Sequence, residues 1–236
     1  MRPLTREEIG HSINKPIGPN TSIVLHFINA YCVVLASQRN NLREIYNHNV
    51  KLCDGTPLFL FLRLFDRKFD LFRGADFMRD VLSDASLSKN HFFIGGTTQS
   101  QKDLEAVLLK GNPDLRIVGS ISPPYLDNFD LLIDDWVRIL KKSQPDFVWI
   151  GIGTPKQDYL AAALSDKFSA VYLTVGAAFD FLSGNKNESP QWLRGSGLEW
   201  LYRWLQEPRR LSSRYVVGNV KFMSLILQTL LHRTFK

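Results

Sequence analysis

Short apolar runs alternate with helical segments along most of this chain, and small residues end each run. Ser22 to Ile28 (SIVLHFI), His91 to Ile94 (HFFI), Leu115 to Ile121 (LRIVGSI), Asp146 to Ile152 (DFVWIGI) and Ala170 to Val175 (AVYLTV) read as strands. Ala30 to Tyr46, Thr97 to Lys110 and Asn128 to Lys142 read as helices between them, with Thr97 or Thr98 as an N-cap. Pro155 stands where the first turn of another helix accepts proline. Strands this apolar, alternating with helices, predict a parallel sheet covered on both faces. Right-handed crossovers then give a Rossmann-like α/β fold, a mostly parallel sheet with helices on both faces.

In such a sheet the ligand sits beyond the carboxyl ends of the strands. Those ends are Gly95-Gly96-Thr97, Gly151-Ile152-Gly153-Thr154 and Gly176-Ala177-Ala178. Small residues let a ligand approach the backbone, and helix N-termini beyond them suit anions. None of the turns spells GxGxxG or GxxxxGK[ST], which argues against a dinucleotide fingerprint and a P-loop. Three glycine turns at strand ends favour a nucleotide-type ligand.

The pattern changes after Gly184. Up to Asn185, 20 Lys and Arg balance 20 Asp and Glu; from Lys186 onward 9 face 3, so the whole net charge of +6 lies there. Trp192, Trp200 and Trp204 stand among Arg194, Arg203, Arg209, Arg210 and Arg214, and apolar positions from Val216 to Leu231 follow at helical spacing. We expect residues 196–236 to form a helical basic appendage to a domain of residues 1–195. Charge of this kind points to a polyanion or an anionic membrane surface, although a solvated tail has the same composition. The apolar stripe is too interrupted to span a bilayer, so it lies in the interface or packs on the chain's own core.

The ordinary balance of apolar and charged residues excludes a disordered or low-complexity chain. Two cysteines, Cys32 and Cys53, exclude a disulfide scaffold, and the N-terminus lacks the apolar core of a signal peptide, so a cytoplasmic protein is expected. The five histidines show no zinc-ligand spacing, the serines form no nucleophile elbow, and Asp134-Asp135 reads as solvated helix surface. Asp54, in Cys53-Asp54-Gly55-Thr56-Pro57, is placed to act as a general base or to cap a helix starting near Pro57. Asp180 suits either a sugar hydroxyl or a local cap, and Lys156-Gln157 puts a cation and an amide beside the Gly151 turn or on open surface.

Together these segments resemble the WecG/TagA/CpsF glycosyltransferases, glycosyltransferase family 26. The matching pieces are Phe27 to Ala30, Cys53 to Pro57, Arg73-Gly74-Ala75-Asp76, Phe93 to Gly96, Gly151 to Gln157, Val175 to Asp180, Gly197 to Arg203 and Glu207 to Leu211. The resemblance implies an inverting, metal-independent transfer without a cofactor. The sugar moves from a UDP-sugar to a polyprenyl-diphosphate-linked acceptor at the inner face of the plasma membrane, in the synthesis of bacterial surface polysaccharide. It implies Asp54 as the catalytic residue and Asn29, Arg73, Gln157, Gly95, Gly153 and Gly176 as binding residues. The same blocks bring Thr56, Asp76, Gly96, Lys156, Phe179 and Asp180 to the substrate. Arg203, Arg209, Arg210 and Arg214 would meet the lipid diphosphate. N-acetylmannosamine, its uronic acid and glucose all fit as donor sugars. Glu188 stands where many members carry arginine. An NAD-dependent epimerase would need the missing GxGxxG turn, and a nucleic-acid-binding protein would leave Asp54 and the glycine turns without a role, so no nucleic acid partner is expected.

Overall fold

The computed structural model describes residues 5–14, 18, 21–84, 88–127, 129–193, 196, 198–212 and 217–234. Among these residues six strands form one sheet: β1 (Ile23–Ile28), β2 (Val50–Cys53), β3 (Asn90–Gly95), β4 (Arg116–Ile121), β5 (Phe147–Gly151) and β6 (Val171–Thr174). Their order is β2-β1-β6-β5-β3-β4, and every pairing is parallel. Successive residues of a strand face opposite sides, so the apolar runs feed two cores at once. Leu25, Phe93, Trp149 and Leu173 enter one; Val24, Phe92, Ile94, Val148, Ile150 and Tyr172 enter the other. Each such buried side chain contributes roughly 1.5–3 kcal/mol, which is why the strands are apolar on both faces.

Helices cover both cores. On one face α5 (Gly74–Ser83) and α6 (Thr98–Gly111) pack with the short α9 (Ala178–Leu182), and Ile9 and Ile13 of α1 (Arg6–Asn14) join the same core. On the other α2 (Ala30–Gln38) packs with α3 (Asn40–His48), α3 with α8 (Lys156–Ser165), and α8 with α7 (Ile133–Ser143). The helix after β1 and the helix after β6 thus lie on opposite faces although those strands are neighbours, and a crevice opens between their carboxyl ends. A buried pair, His26 Nδ1 with Asp158 Oδ1 at 2.8 Å, ties β1 to α8 beneath it.

Several boundaries differ from those read in the sequence. The segment Ala30 to Tyr46 is two helices, because Arg39 turns extended at φ −133° and ψ 105° and caps α2 while starting α3. Thr97 is the N-cap of α6 and forms a reciprocal capping box with Ser100. The helix expected from Asn128 starts at Ile133, after a 3-10 turn over Asp130–Leu132; Asn128 lies outside the described residues. Pro155, joined to Thr154 by a cis peptide, stands immediately before α8.

The C-terminal segment comprises α10 (Glu199–Gln206), α11 (Pro208–Ser212) and α12 (Gly218–Thr234). The helix α12 packs on α2, with Phe222 buried among Ile28, Val34, Leu58 and Cys32. Its other face leaves Val220, Met223, Leu227 and Leu231 exposed. Of the stripe expected there, the Ile226 side packs inward and the rest faces out; Val216 is outside the described residues. No helix among the described residues is long and apolar enough to cross a membrane.

Candidate active site

Asp54 is carried by the end of the sheet. Its N–H donates to the Ile28 carbonyl at 2.7 Å, which extends the β1–β2 ladder one residue past Cys53. The Cys53 carbonyl accepts from Phe72 N–H at 2.8 Å, fixing the chain on its other side. The next helix, α4 (Thr56–Arg63), has Gly55 at its N-cap position, one residue after Asp54. Burial and the neighbouring Asp54 charge push the Cys53 thiol up to about 12, so it stays protonated.

A cleft of about 220 Å³ opens beside Asp54 at the strand ends, lined among others by Asn29, Arg73, Gly153, Gln157, Gly176 and Asp180. Asn29 is the N-cap of α2: its Oδ1 accepts from Tyr31 N–H and Cys32 N–H at 3.1 and 3.2 Å. That leaves the Nδ2 end of the amide as the end not engaged by the cap. Gly153 has φ +87° and open space where a Cβ would stand, so only its backbone conformation demands glycine.

Gln157 is buried and fully engaged. Its Oε1 accepts from Gly153 N–H at 3.0 Å, and its Nε2 donates to the Thr174 carbonyl at 2.9 Å. It fixes the glycine turn as much as it faces the cleft. Arg73 donates from Nη1 to Asp76 at 2.8 Å and from Nη2 to Glu199 at 2.6 Å. Burial alone would lower this guanidinium, but the Glu199, Asp76 and Asp54 carboxylates outweigh it and raise it above its ordinary value. Arg203 lines the cleft from α10 and lies over the Phe181 ring at 4.9 Å. Asp180 pairs with Lys186 at 2.7 Å at the rim.

Other residues read from the sequence lie elsewhere. Lys156 turns away from the cleft, donates to the Leu126 carbonyl at 2.6 Å and sits over Tyr125. A Cβ on Gly95 would come within 2.6 Å of the Gly151 carbonyl, so this glycine serves the close approach of β3 to β5. Gly96 abuts Ser100, and Phe179 is buried against Gly151 and Phe93 as floor rather than wall. Asp76 holds Arg73 and Arg79 without lining the cleft. Thr56 is buried in a second, smaller lobe of about 80 Å³. Arg209 is exposed and lines neither lobe, while the Arg210 side chain and Arg214 lie outside the described residues. Glu188 pairs with Arg79, which gives the acidic residue at that position a local partner. Asp134 and Asp135 pair with Lys167 and Arg138 on the surface. No group of three or more His, Cys, Asp or Glu side chains among the described residues is arranged to hold a metal.

Sequence reading gave Glu199 no role. A signal was present: it is one of three acidic residues in a basic segment and lies four residues before Arg203, so both face one side of α10.

An open parallel sheet with a carboxylate, an arginine and glycine turns around a cleft at its carboxyl ends defines a Rossmann-like α/β protein with its cleft where such folds bind ligands. The chain belongs to the WecG/TagA/CpsF family of glycosyl transferases, whose model matches residues 1–236. It is 26% identical over 203 residues to N-acetylglucosaminyldiphosphoundecaprenol N-acetyl-beta-D-mannosaminyltransferase of Bacillus subtilis strain 168, covering 85% of this chain and 76% of that one. A protein of the same name from Staphylococcus aureus strain MW2 is 26% identical over 140 residues, 58% of this chain and about half (53%) of that relative's own length.

Proposed function

We propose that this glycosyltransferase moves N-acetylmannosamine from its UDP conjugate to N-acetylglucosamine on a polyprenyl diphosphate, with inversion. The single observation that carries the reading is Asp54 at the end of β2, lining a cleft with Arg73 and Arg203. The similarity to the two mannosaminyltransferases supports the choice of sugars.

The acceptor hydroxyl attacks the anomeric carbon from the face opposite the diphosphate. As the new C–O bond forms, its proton passes to the Asp54 carboxylate. The bond from the anomeric carbon to the β-phosphate oxygen breaks, and its electron pair leaves with UDP. In this reading Arg73 and Arg203 take up that charge, and the step calls on no metal. Asn29 Nδ2 orients one of the two sugars. The exposed apolar face of α12 brings the enzyme to the cytoplasmic membrane surface, where its substrate is anchored.

The test is UDP release from UDP-N-acetylmannosamine in the presence and absence of the lipid-linked acceptor, with EDTA in a parallel sample. Acceptor-dependent release that survives EDTA is expected. Release with other UDP-sugars alone overturns the donor; loss with EDTA and recovery with magnesium overturns the metal-free step.

A further inference from the structure

A chain of ion pairs leads away from the cleft: Glu199, Arg73, Asp76, Arg79 and Glu188, alternating in sign. Each inner member uses both of its ends. Arg73 donates from Nη2 to Glu199 and from Nη1 to Asp76 Oδ2. Asp76 accepts from Arg79 Nη1 at its other oxygen, Oδ1, at 3.0 Å, and Arg79 donates from Nη2 to Glu188. We infer that Glu188 is a positioning residue for the diphosphate site: acting through Arg79 and Asp76, it keeps Arg73 shared with protein carboxylates and so limits how tightly UDP is held. This rests on the transferase reading above, which gives the diphosphate to Arg73.

The arrangement starts from spacing. Arg73, Asp76 and Arg79 stand three residues apart, so the start of α5 presents them along one side. A pair at this spacing on a surface holds only weakly. Arg79 is 45% exposed, and with no further anchor its guanidinium would turn to both oxygens of Asp76 or to water. Glu188, from the segment after α9, supplies an anchor, and its side chain is only 11% exposed. A carboxylate so far from water needs a cation. It takes one edge of the Arg79 fork. The other edge meets Asp76 Oδ1, and Oδ2 stays with Arg73.

The consequence follows from how a guanidinium binds a carboxylate. With residue 188 neutral, Arg79 can give both nitrogens to Asp76, the geometry its planar fork favours. Asp76 then holds Arg73 less, and Arg73 turns more fully to a phosphate oxygen. Removing Arg79 acts in the opposite direction, because the Asp76 carboxylate then goes more fully to Arg73. A transferase gains from the restraint. A contact equally strong to donor and to product delays the departure of UDP without speeding the chemical step.

The experiment is a double-mutant cycle of Glu188→Gln and Arg79→Gln, read by UDP calorimetry on the whole chain. Glu188→Gln should tighten UDP about 3-fold or more, and Arg79→Gln should weaken it about 2-fold or more. In the Arg79→Gln background, Glu188→Gln should change UDP affinity by less than about 1.5-fold, because the connection to Asp76 is cut. A charge acting only through space would have the same effect in both backgrounds. Circular dichroism checks each fold, and Glu188→Met, neutral and of similar length, replaces a Gln variant that does not fold. A Glu188 effect that is absent, reversed in sign or equal in both backgrounds overturns the role of Glu188. Arg73→Gln separates this role from the reading beneath it, and should weaken UDP about 10-fold or more. Equal UDP affinity in wild type and Arg73→Gln overturns the diphosphate at Arg73 and the role of Glu188 together. Arg73-dependent binding with additive effects of Glu188 and Arg79 overturns the role of Glu188 alone.

Discussion

Arg73, at the start of α5, and Glu199, at the start of α10, join across the mouth of the cleft at 2.6 Å, with side chains only 15% and 22% exposed. The bond draws the C-terminal segment over the strand ends and engages the guanidinium to which the proposed reaction gives the diphosphate. A phosphate oxygen arriving at Arg73 must share or displace the carboxylate.

Glu199→Gln removes that competition but keeps the shape. UDP should bind about 3- to 10-fold more tightly by calorimetry, since the guanidinium keeps a neutral partner in place of a charged one. Folding stability should fall by about 1 kcal/mol, as expected for a half-dry pair loosened rather than deleted. Weaker UDP binding would show that Glu199 supports the nucleotide site instead of competing for it.

Asp54→Asn preserves size and removes basicity. Turnover should fall by about 100-fold or more. UDP affinity should be nearly unchanged, because the base acts on the acceptor. Near-normal turnover would remove Asp54 from the mechanism.

His91 sets a pH limit far from the cleft. It is fully buried on β3, and its Nδ1 accepts from the Trp149 indole N–H at 3.1 Å, which requires a neutral ring. Burial lowers it to about 4, against a weaker opposing pull from Asp146. The unfolded chain, with a histidine near 6.5, then binds the extra proton first as pH falls. The stability His91 contributes is therefore complete above about pH 6.5 and is lost between there and pH 4; by pH 5 the loss is about 2 kcal/mol. Urea midpoints at pH 7.5 and 5.0 measure it. His91→Gln should remove most of the difference between the two, whatever its effect at neutral pH.

How much of this was legible depends on what each residue answers to. The strands were readable because Val148 to Ile150 and Tyr172 to Thr174 are buried on both faces, which leaves an apolar run in sequence. The edge strand β2 is only VKLC, and its Val50 and Lys51 are half-exposed, so it is not among the strands read from the sequence. The break at Arg39 has no glycine or proline to announce it; packing of α2 and α3 on different neighbours decides it. At the site, type and position were readable but direction was not. Gln157 and Lys156 are adjacent in sequence, yet one is buried under the glycine turn and the other is swung onto Tyr125. Glu199 meets Arg73 across 126 residues of chain, a pairing that no local pattern encodes.

The two faces of α12 make separable contributions. Phe222 is 3% exposed and meets the Phe61 ring edge-on at 6.2 Å, so Phe222→Ala leaves a cavity between α12, α2 and α4. The expected loss is about 3–5 kcal/mol in chemical unfolding. The opposite face behaves differently. Val220, Met223 and Leu227 are about 60% exposed or more, so changing all three to serine removes little packing and should move stability by well under 1 kcal/mol. If this face meets the bilayer, the triple variant should lose at least 5-fold in sedimentation with anionic liposomes while its melting temperature holds. Lys221, on the same helix, adds a salt-dependent share of order 1 kcal/mol near an anionic surface, so raising salt should weaken the wild type toward the variant. Undiminished liposome binding by a folded triple variant would end the membrane role of α12 and leave it as a packing helix held by Phe222.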